Sequence, residues 1–181
     1  GSAVFSSTVA LGASTLVIAA DEVDFVANVS GIGGTLEIKP GTIGALLRVG
    51  GAGTAANRLD LTSVELALLQ PGLSRLILGR SDSTAIATVN AVSWANLATI
   101  RGGSALLTVA GAVTSSADLE LSSGTGGIAL NAAVNVGAND LTLESGGGVT
   151  QTAAITAAGL ELLGAGNFVL SLATNDVSVL A

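Results

Sequence analysis

The chain has 181 residues, enough for one domain with a sizeable core, and 49% of them are hydrophobic although only 2% are aromatic. It contains no histidine, cysteine or methionine, which excludes catalysis by histidine or cysteine, a disulfide framework and thiolate metal sites. The formal net charge of −7 argues against nucleic acid and anionic lipid as partners.

The start of the chain lacks the features of a targeting segment. GSAVFSSTVALGASTLVIAA has neither the positive n-region nor the continuous apolar block of a signal peptide. We interpret residues 1–2 as a remnant of recombinant expression, and residues 3–181 as a single domain that is a fragment of a much longer repetitive protein. No run of about 18 apolar residues occurs, so we predict no insertion into a membrane.

Three carboxylates lie close together near the N-terminus. Asp21, Glu22 and Asp24 fall within four residues, and oxygen-rich sites suit Ca²⁺. The segment matches neither an EF-hand loop nor the glycine-aspartate nonapeptide of calcium-stacked β-rolls. We therefore interpret it as a solvated acidic turn, predict no cofactor, and leave Ca²⁺ binding open.

Short apolar pairs begin before residue 20 and recur along the first half of the chain. They follow one another at nearly equal intervals, so we assign them to one series: Leu16-x-Ile18, Leu36-x-Ile38 and Leu59-x-Leu61. Further on, Leu76 and Leu97 show the same kind of spacing, as do Ile86 and Leu107. In each pair the side chains are two residues apart, so both point to the same side of a strand.

One segment interrupts this pattern. Thr62 and Glu65 match the S/T-x-x-E capping box, and three leucines follow before Gln70-Pro71-Gly72 stops the turn. We predict one or two helical turns over residues 63–69, packed on a corner of the repeat.

The charged residues around this segment are the candidates for a ligand site. We consider a carbohydrate-binding or carbohydrate-modifying face around Glu65, Arg75, Arg80 and Trp94, in which the tryptophan either is exposed as a platform or fills a wide coil. Paired carboxylates can hydrolyse glycosides, but sugar-cleaving grooves are normally lined with aromatic residues and this chain has four. We predict that it is not an enzyme. The charged residues that could take a catalytic role in such a site are Asp60, Glu65, Asp82, Arg75, Arg80 and Arg101.

The second half repeats most regularly, with a period of about 21 residues. Three interleaved apolar series share this period, which indicates three short strands per repeat. Such strands stack as coils into continuous parallel sheets with rungs about 4.8 Å apart. We predict an all-β parallel β-helix of about eight coils. The series are Leu119, Leu141, Leu160; Leu107, Ile128, Val149, Phe168; and Val92, Val113, Val134, Ile155, Val177.

Glycine clusters stand before one strand of each of these repeats. A phosphate-binding loop occurs once, before a helix, and usually needs a following Lys-Ser/Thr, whereas this chain has no lysine beyond Lys39. Glycine also permits positive φ or close backbone approach, as a coil corner requires. We therefore interpret these glycines as structural corners. They are Gly126, Gly127, Gly147, Gly148 and Gly166.

The segments that carry the repeat resemble the shafts of large secreted bacterial exoproteins, the filamentous-haemagglutinin-like, β-strand-repeat adhesins. The resemblance spans residues 59–181. It implies a right-handed parallel β-helix, export across the outer membrane to the cell surface, and a role in adhesion or biofilm, and it carries over no catalytic residues. The segments are LDLTSVELALLQPGLSRLILGRSDSTAIATV, GGSALLTVAGAVTSSADLELSSGTGGIALNAAV and DLTLESGGGVTQTAAITAAGLELLGAGNFVLSLATNDVSVLA.

On this basis we expect a structural shaft segment of an extracellular adhesin. Its partners would be flanking β-helix repeats of the same protein, and a glycan or protein of the host or matrix. Exposed strand edges at the ends also favour end-to-end self-association. The receptor and the length of the parent protein stay open.

Overall fold

A computed structural model describes residues 1–53 and 57–181, and within them the chain is a parallel β-solenoid of about eight coils spaced about 21 residues apart. Each coil contributes strands to three faces. All strand pairs in the described ranges are parallel. The predicted fold class is confirmed.

The first face holds the opening strand of each coil. It consists of a two-stranded sheet, β1-β4, and a seven-stranded sheet in the order β21-β19-β16-β13-β10-β7-β8. Its strands are β1 (Ser2–Phe5), β4 (Glu22–Phe25), β7 (Leu46–Val49), β8 (Arg58–Leu61), β10 (Ala87–Val89), β13 (Leu107–Val109), β16 (Ile128–Leu130), β19 (Val149–Gln151) and β21 (Phe168–Val169).

The second face has the shortest strands, and the third has the longest. Two strands, β20 (Ile155–Leu163) and β22 (Asp176–Leu180), run through both faces and join them into one eleven-stranded sheet. The other strands of the second face are β2 (Val9–Ala10), β5 (Val29–Ser30), β11 (Val92–Trp94), β14 (Val113–Ser115) and β17 (Val134–Asn135). Those of the third are β3 (Thr15–Ala19), β6 (Thr35–Lys39), β9 (Arg75–Gly79), β12 (Ala98–Arg101), β15 (Leu119–Ser123) and β18 (Asp140–Ser145).

The core consists of inward side chains that stack directly on their equivalents in the next coil. Alternation along each strand sends every second residue inward, so each coil buries its apolar pair against the pairs above and below. One column crosses all eight coils on the third face, and we call it the leucine column. It contains Leu16, Leu36, Leu76, Ala98, Leu119, Leu141, Leu160 and Leu180.

The three series of the second half are confirmed, apart from one step. Leu119 pairs with Leu141, Ile128 with Val149, and Val134 with Ile155. The last step was wrong, because Val177 pairs with Ala157 and not with Ile155. Asn175 lies at that level instead, and its side-chain oxygen accepts the Ile155 amide at 3.0 Å.

In the first half, the placement of Leu16 and Leu36 in one series is confirmed, but the assignment of Leu59-x-Leu61 to the same series was wrong. Leu59 pairs with Leu47 on the first face, and the partner of Leu36 on the third face is Leu76. The cause is β7, an additional strand inserted between β8 and β10 out of chain order.

Two further assignments differ by one residue. Leu76 pairs with Ala98 where Leu97 was expected, and Leu107 pairs with Ala87 where Ile86 was expected. Ala98 and Ala87 are buried, whereas Ile86 is 48% exposed. In both cases the inward position is occupied by a small alanine and not by the larger neighbouring residue that the apolar pattern favoured.

The helical insertion is shorter than predicted. Helix α1 spans Ser63–Leu66, with the full capping box at Thr62 and Glu65. The predicted range extended to residue 69, but Leu69 forms a parallel bridge with Val29. The helix ends early because the second face needs an extended residue at this level to continue the ladder.

The positions of these glycines confirm that they lie at corners. Not every one of these corners requires a glycine, however. Gly126, Gly147 and Gly166 occupy the same place in successive coils, and a Cβ on any of them would overlap backbone atoms of the coil beneath. Gly127 has φ +81° and lies under Gly148. Gly148 itself has open space where a Cβ would lie, so it is at the corner without being sterically required there.

Candidate functional site

Trp94 fills the interior of the solenoid. It lies on β11, points inward and is 8% exposed, so the interpretation as a residue that fills a wide coil is confirmed and the exposed platform is excluded. Its strand lies beside α1. The indole N–H is buried and has no hydrogen-bond acceptor among the described residues.

Glu65 is a structural residue of the helix start. Its Oε2 accepts hydrogen bonds from the Thr62 amide at 2.8 Å and from Thr62 Oγ1 at 2.7 Å. Its Oε1 accepts the Phe25 amide at 3.4 Å, which ties α1 to β4 in the coil beneath. With 8% exposure, this carboxylate is occupied within the fold.

Arg75 lies on the outer side of the third face and bridges three coils. Its Nε and Nη2 donate to Thr99 Oγ1 at 3.0 and 2.8 Å, and Nη2 also donates to Glu120 Oε2 at 2.5 Å. Both charged side chains are partly exposed, so the pair contributes little on its own. Arg75 therefore joins coils along the outer surface.

Arg80 forms a two-point pair with Asp82 at a corner. Nε and Nη2 each donate to one carboxylate oxygen at 2.8 Å, and Nη1 donates to the Pro40 carbonyl oxygen at 3.0 Å. The hydrogen bond from Arg80 lowers the pKa of Asp82, and the same bond raises the pKa of Arg80. Arg80 and Asp82 therefore form a local ion pair at this corner.

The four residues of the candidate ligand face do not share one exposed surface. Glu65 and Trp94 are buried, whereas Arg75 points outward from the third face and Arg80 lies at a corner. These residues therefore do not form the aromatic platform beside exposed charges that the carbohydrate hypothesis requires.

The remaining catalytic candidates either form ion pairs within the fold or lie apart from the other candidates. Asp60 is fully buried, and its Oδ1 lies 2.6 Å from Arg48 Nε and 2.7 Å from Arg58 Nε. The contact of Arg48 Nε with Asp60 is an ion pair without hydrogen-bond geometry, whereas Arg48 Nη2 donates to the carbonyl oxygens of Ala52 and Gly53. Arg101 lies at the end of β12, partly buried. The ion pair between Arg48 on β7 and the buried Asp60 on β8 therefore joins these two strands, and Arg58 adds a second positive charge from within β8.

The prediction of a solvated acidic turn was wrong for Glu22 and Asp24, which lie on strand β4, and only Asp21 lies at the bend before that strand. Asp21 accepts the Thr42 amide at 2.8 Å and Thr42 Oγ1 at 2.9 Å, and the amide bond is the main reason that the pKa of Asp21 is lowered. Burial raises the pKa of Glu22, and the neighbouring charges of Asp60 and Glu65 raise it further. No group of three or more carboxylates in residues 1–53 and 57–181 is placed to hold a metal ion.

An acidic surface on the third face is the feature that sequence reasoning did not identify. Asp118 and Asp140 are direct neighbours in adjacent coils, and the Asp140 amide donates to Asp118 Oδ1 at 3.0 Å. Thr142 separates Glu120 from Glu161 in the neighbouring outward column, and its Oγ1 donates to Glu161 Oε2 at 3.2 Å. These residues line two open grooves of about 570 and 190 Å³. In the sequence, the feature that could have indicated this acidic surface is the absence of basic residues after Arg101.

No helix in the described parts of the chain is long and apolar enough to cross a membrane. No family model, no curated protein and no solved structure matches the chain.

Proposed function

We propose that this chain is a structural shaft segment of a large secreted or cell-surface bacterial adhesin. The observation that carries the proposal is the leucine column, which runs through every coil from Leu16 to Leu180. A fold whose core and ladders simply repeat along one axis acts as a spacer. The resemblance to filamentous-haemagglutinin-like exoproteins supplies the biological setting.

The mechanism is geometric. Each coil contributes a rise of about 4.8 Å, so eight coils separate the two ends by about 40 Å. Backbone hydrogen bonds between coils lie along the axis, and an extracellular adhesin would use them to hold a binding tip away from the cell. The shaft itself needs no catalytic residue, and the receptor would be bound by another part of the protein.

The carbohydrate-binding alternative finds less support. A platform that stacks on a sugar ring needs an exposed aromatic side chain, and Trp94 is 8% exposed. Without Trp94 and the buried Glu65, the candidate face consists of Arg75 and Arg80, and both are paired with carboxylates.

Single-molecule force spectroscopy tests the shaft function. With handles at the two termini, a stacked solenoid should lose whole coils, each releasing about 21 residues, or about 7 nm of extended chain. Leu121→Ala removes a core side chain that is 1% exposed and should lower the force of some steps, while Thr114→Ala on the exposed side of β14 should not.

Two results would contradict the proposal. One is featureless extension at low force, because a shaft must resist stretching. The other is specific binding of the isolated chain on a glycan array that is lost in Arg75→Ala and Arg80→Ala, which would favour the carbohydrate alternative.

A further inference from the structure

Strand β7 gives the first face one strand more than the third face has over the same coils. Between β4 and β10 the first face contains both β8 and β7, whereas between β6 and β12 the third face contains only β9. An additional strand occupies a rung of about 4.8 Å. Because β7 adds this rung on one face and none is added on the third, it acts as a wedge between the coils on its two sides.

The ladder of the first face is broken next to this wedge. Strand β4 lies beside β8, but no backbone pairing joins the two in the described residues. The Phe25 amide on β4 donates instead to the Glu65 carboxylate, at 3.4 Å. On the third face the strands from β3 to β18 are paired without a break. The pairing of β7 with its two neighbours is thus accompanied by a missing pairing between β4 and β8.

Strand β8 carries side chains that can replace those of β7. Leu47 and Val49 are the inward residues of β7, and they stack on the inward residues of β10. Leu59 and Leu61 hold the same two positions on β8, one rung further along the axis. The first position is a leucine in both strands, and at the second Leu61 is one methylene larger than Val49. The two strands are therefore nearly equivalent partners for β10.

The contacts that hold β7 in place include a buried charge and an unfavourable backbone conformation. Arg48 pairs with the fully buried Asp60, but the Arg48 Nε is itself buried without a hydrogen bond in the described residues. The attraction within a buried ion pair is largely offset by the cost of removing both charges from water. Asn57, the residue before β8, has φ +58°, which costs a residue with a Cβ more than it costs glycine.

We propose that β7 is an exchangeable strand, and that the chain has a second folded state in which β8 takes the place of β7 beside β10. In that state β8 also pairs with β4, so two backbone pairings are lost and two are formed. The main loss is the burial of Leu47 and Val49. The exchanged state is therefore a minor state, reached by local opening while the other coils stay folded.

The exchange would change the direction of the solenoid axis. Without β7 the first and third faces have equal numbers of strands, so the wedge disappears. The coils on its two sides would then rotate relative to one another about the continuous third face. Two packings of one sequence that differ little in free energy form a conformational switch. This inference rests on the strand order and is independent of the proposed adhesin function.

Cysteine labelling tests whether β7 opens alone, since the chain has no cysteine of its own. Val49→Cys on β7, Leu61→Cys on β8 and Leu130→Cys on β16 each replace a side chain that is at most 1% exposed. Circular dichroism verifies that each variant is folded. A maleimide should modify residue 49 at least about tenfold faster than residues 61 and 130, because only β7 is released to solvent. Leu130→Cys is the control for opening of the regular stack.

Disulfide trapping then identifies the strand that lies beside β10. Leu61 and Val89 are two rungs apart, about 9.6 Å, which is too far for a disulfide, and the exchange brings them within one rung of about 4.8 Å. Leu61→Cys/Val89→Cys should therefore cross-link in the folded protein. Val89→Cys/Leu130→Cys spans the same two rungs across β13 and should not. Val49→Cys/Val89→Cys, a pair of direct neighbours, is the positive control for the geometry of inward residues.

Fast labelling of residue 49 alone, together with cross-linking of Leu61→Cys/Val89→Cys, would support the exchange. Equal labelling at residues 49, 61 and 130 would overturn it, and so would fast labelling at both 49 and 61, because β8 would then leave together with β7. Cross-linking of the direct neighbours without cross-linking of Leu61→Cys/Val89→Cys would mean that β7 opens without being replaced. Equal cross-linking of the Val89→Cys/Leu130→Cys control would indicate general unfolding and would also contradict the proposal. None of these outcomes affects the force-spectroscopy test of the shaft.

Discussion

At the residue scale, the corners show how close packing selects glycine at some positions and only tolerates it at others. Parallel coils bring backbone onto backbone at each corner, and at Gly126, Gly147 and Gly166 no space remains for a side chain. Gly148 is adjacent in sequence to one of these, yet a Cβ there would contact nothing within 4 Å. The requirement comes from the neighbouring coil and is invisible in the local sequence.

Gly147→Ala and Gly148→Ala should therefore have opposite effects. The new Cβ at residue 147 would overlap the Thr125 carbonyl oxygen, and we expect a loss of about 1–3 kcal/mol in the free energy of unfolding. At residue 148 alanine reduces the entropy of the unfolded chain, and we expect no loss or a gain of about 0.4–1 kcal/mol. Chemical denaturation of both variants measures the difference. Equal destabilisation would mean that the corner geometry is wrong.

Glu22 is a residue whose charge should reduce stability. Burial and the neighbouring carboxylates raise its pKa in the folded chain, so ionisation costs the folded state more than the unfolded state. The cost is fully present above the folded pKa and disappears as the pH falls below the ordinary value of about 4.5. Asp21 has the opposite sign, because its lowered pKa adds stability that is lost on acidification.

Glu22→Gln should accordingly raise the free energy of unfolding at pH 7, by about 0.2–1 kcal/mol as for other partly exposed charges. The gain over the parent should shrink towards zero near pH 4, where the parent carboxyl is protonated in both states. Thermal melts at several pH values give this difference, and Asp176→Asn on an exposed carboxylate is the control. A pH-independent gain would show that the effect is not electrostatic.

At the element scale, regular strands could be predicted and the irregular ones could not. Strands from β10 onward follow a period of about 21 residues because each inward pair must stack on the previous pair. The strand β7 breaks this logic, since it carries the same inward pattern at Leu47 and Val49 as β8 does at Leu59 and Leu61. Because β7 and β8 have the same inward pattern, their sequences do not tell which of them lies next to β10. That order is fixed by contacts with residues distant in the chain.

The candidate site was less predictable than the fold. Capping chemistry is local, so Thr62 and Glu65 could be identified from their spacing. The burial of Trp94 and the Asp118–Asp140 pair depend on which coil lies next to which, and a shift of a single residue in the register decides between inward and outward positions. Sequence spacing was therefore sufficient for the strands and insufficient for the outer surface.

Deletion of residues 46–57 tests whether β7 is a dispensable insertion. It joins Ala45 to Arg58, keeps the alternation of inward and outward residues, and retains the pair between Arg58 and Asp60. With β7 absent, β8 can pair directly with β10, since the preceding segment shifts by only one rung of about 4.8 Å. We expect a folded solenoid with one strand fewer on the first face.

Circular dichroism and the emission of the single tryptophan measure the result. The variant should keep its β signal, a blue-shifted Trp94 emission and a cooperative melt. A deletion of equal length over residues 119–130 is the control, because it removes β15 and β16 from the regular stack and should disrupt the fold. An unfolded 46–57 deletion would show that β7 is essential to the first face.

At the scale of the whole molecule, the distribution of charge is uneven along the axis. All six basic residues lie between Lys39 and Arg101, and the coils beyond carry only acidic charges. On the third face Asp118 and Asp140 are like-charged neighbours in adjacent coils, whereas Thr142 separates Glu120 from Glu161. Since cross-strand like charges are unfavourable, the C-terminal coils are held together by their core against electrostatic repulsion.

The stability of the molecule should therefore increase with salt. Between 0.01 and 0.15 M ionic strength the screening length falls from about 30 to about 8 Å, which weakens repulsion between outward carboxylates more than it affects the buried Asp60 pairs. We expect Tm to rise over this range, measured at a low protein concentration at which the chain is monomeric. In Asp140→Asn, which removes the charge next to Asp118, the rise should be smaller and the Tm at low salt higher. If Tm fell with salt, surface ion pairs such as Arg75–Glu120 would dominate over the repulsion between the C-terminal coils.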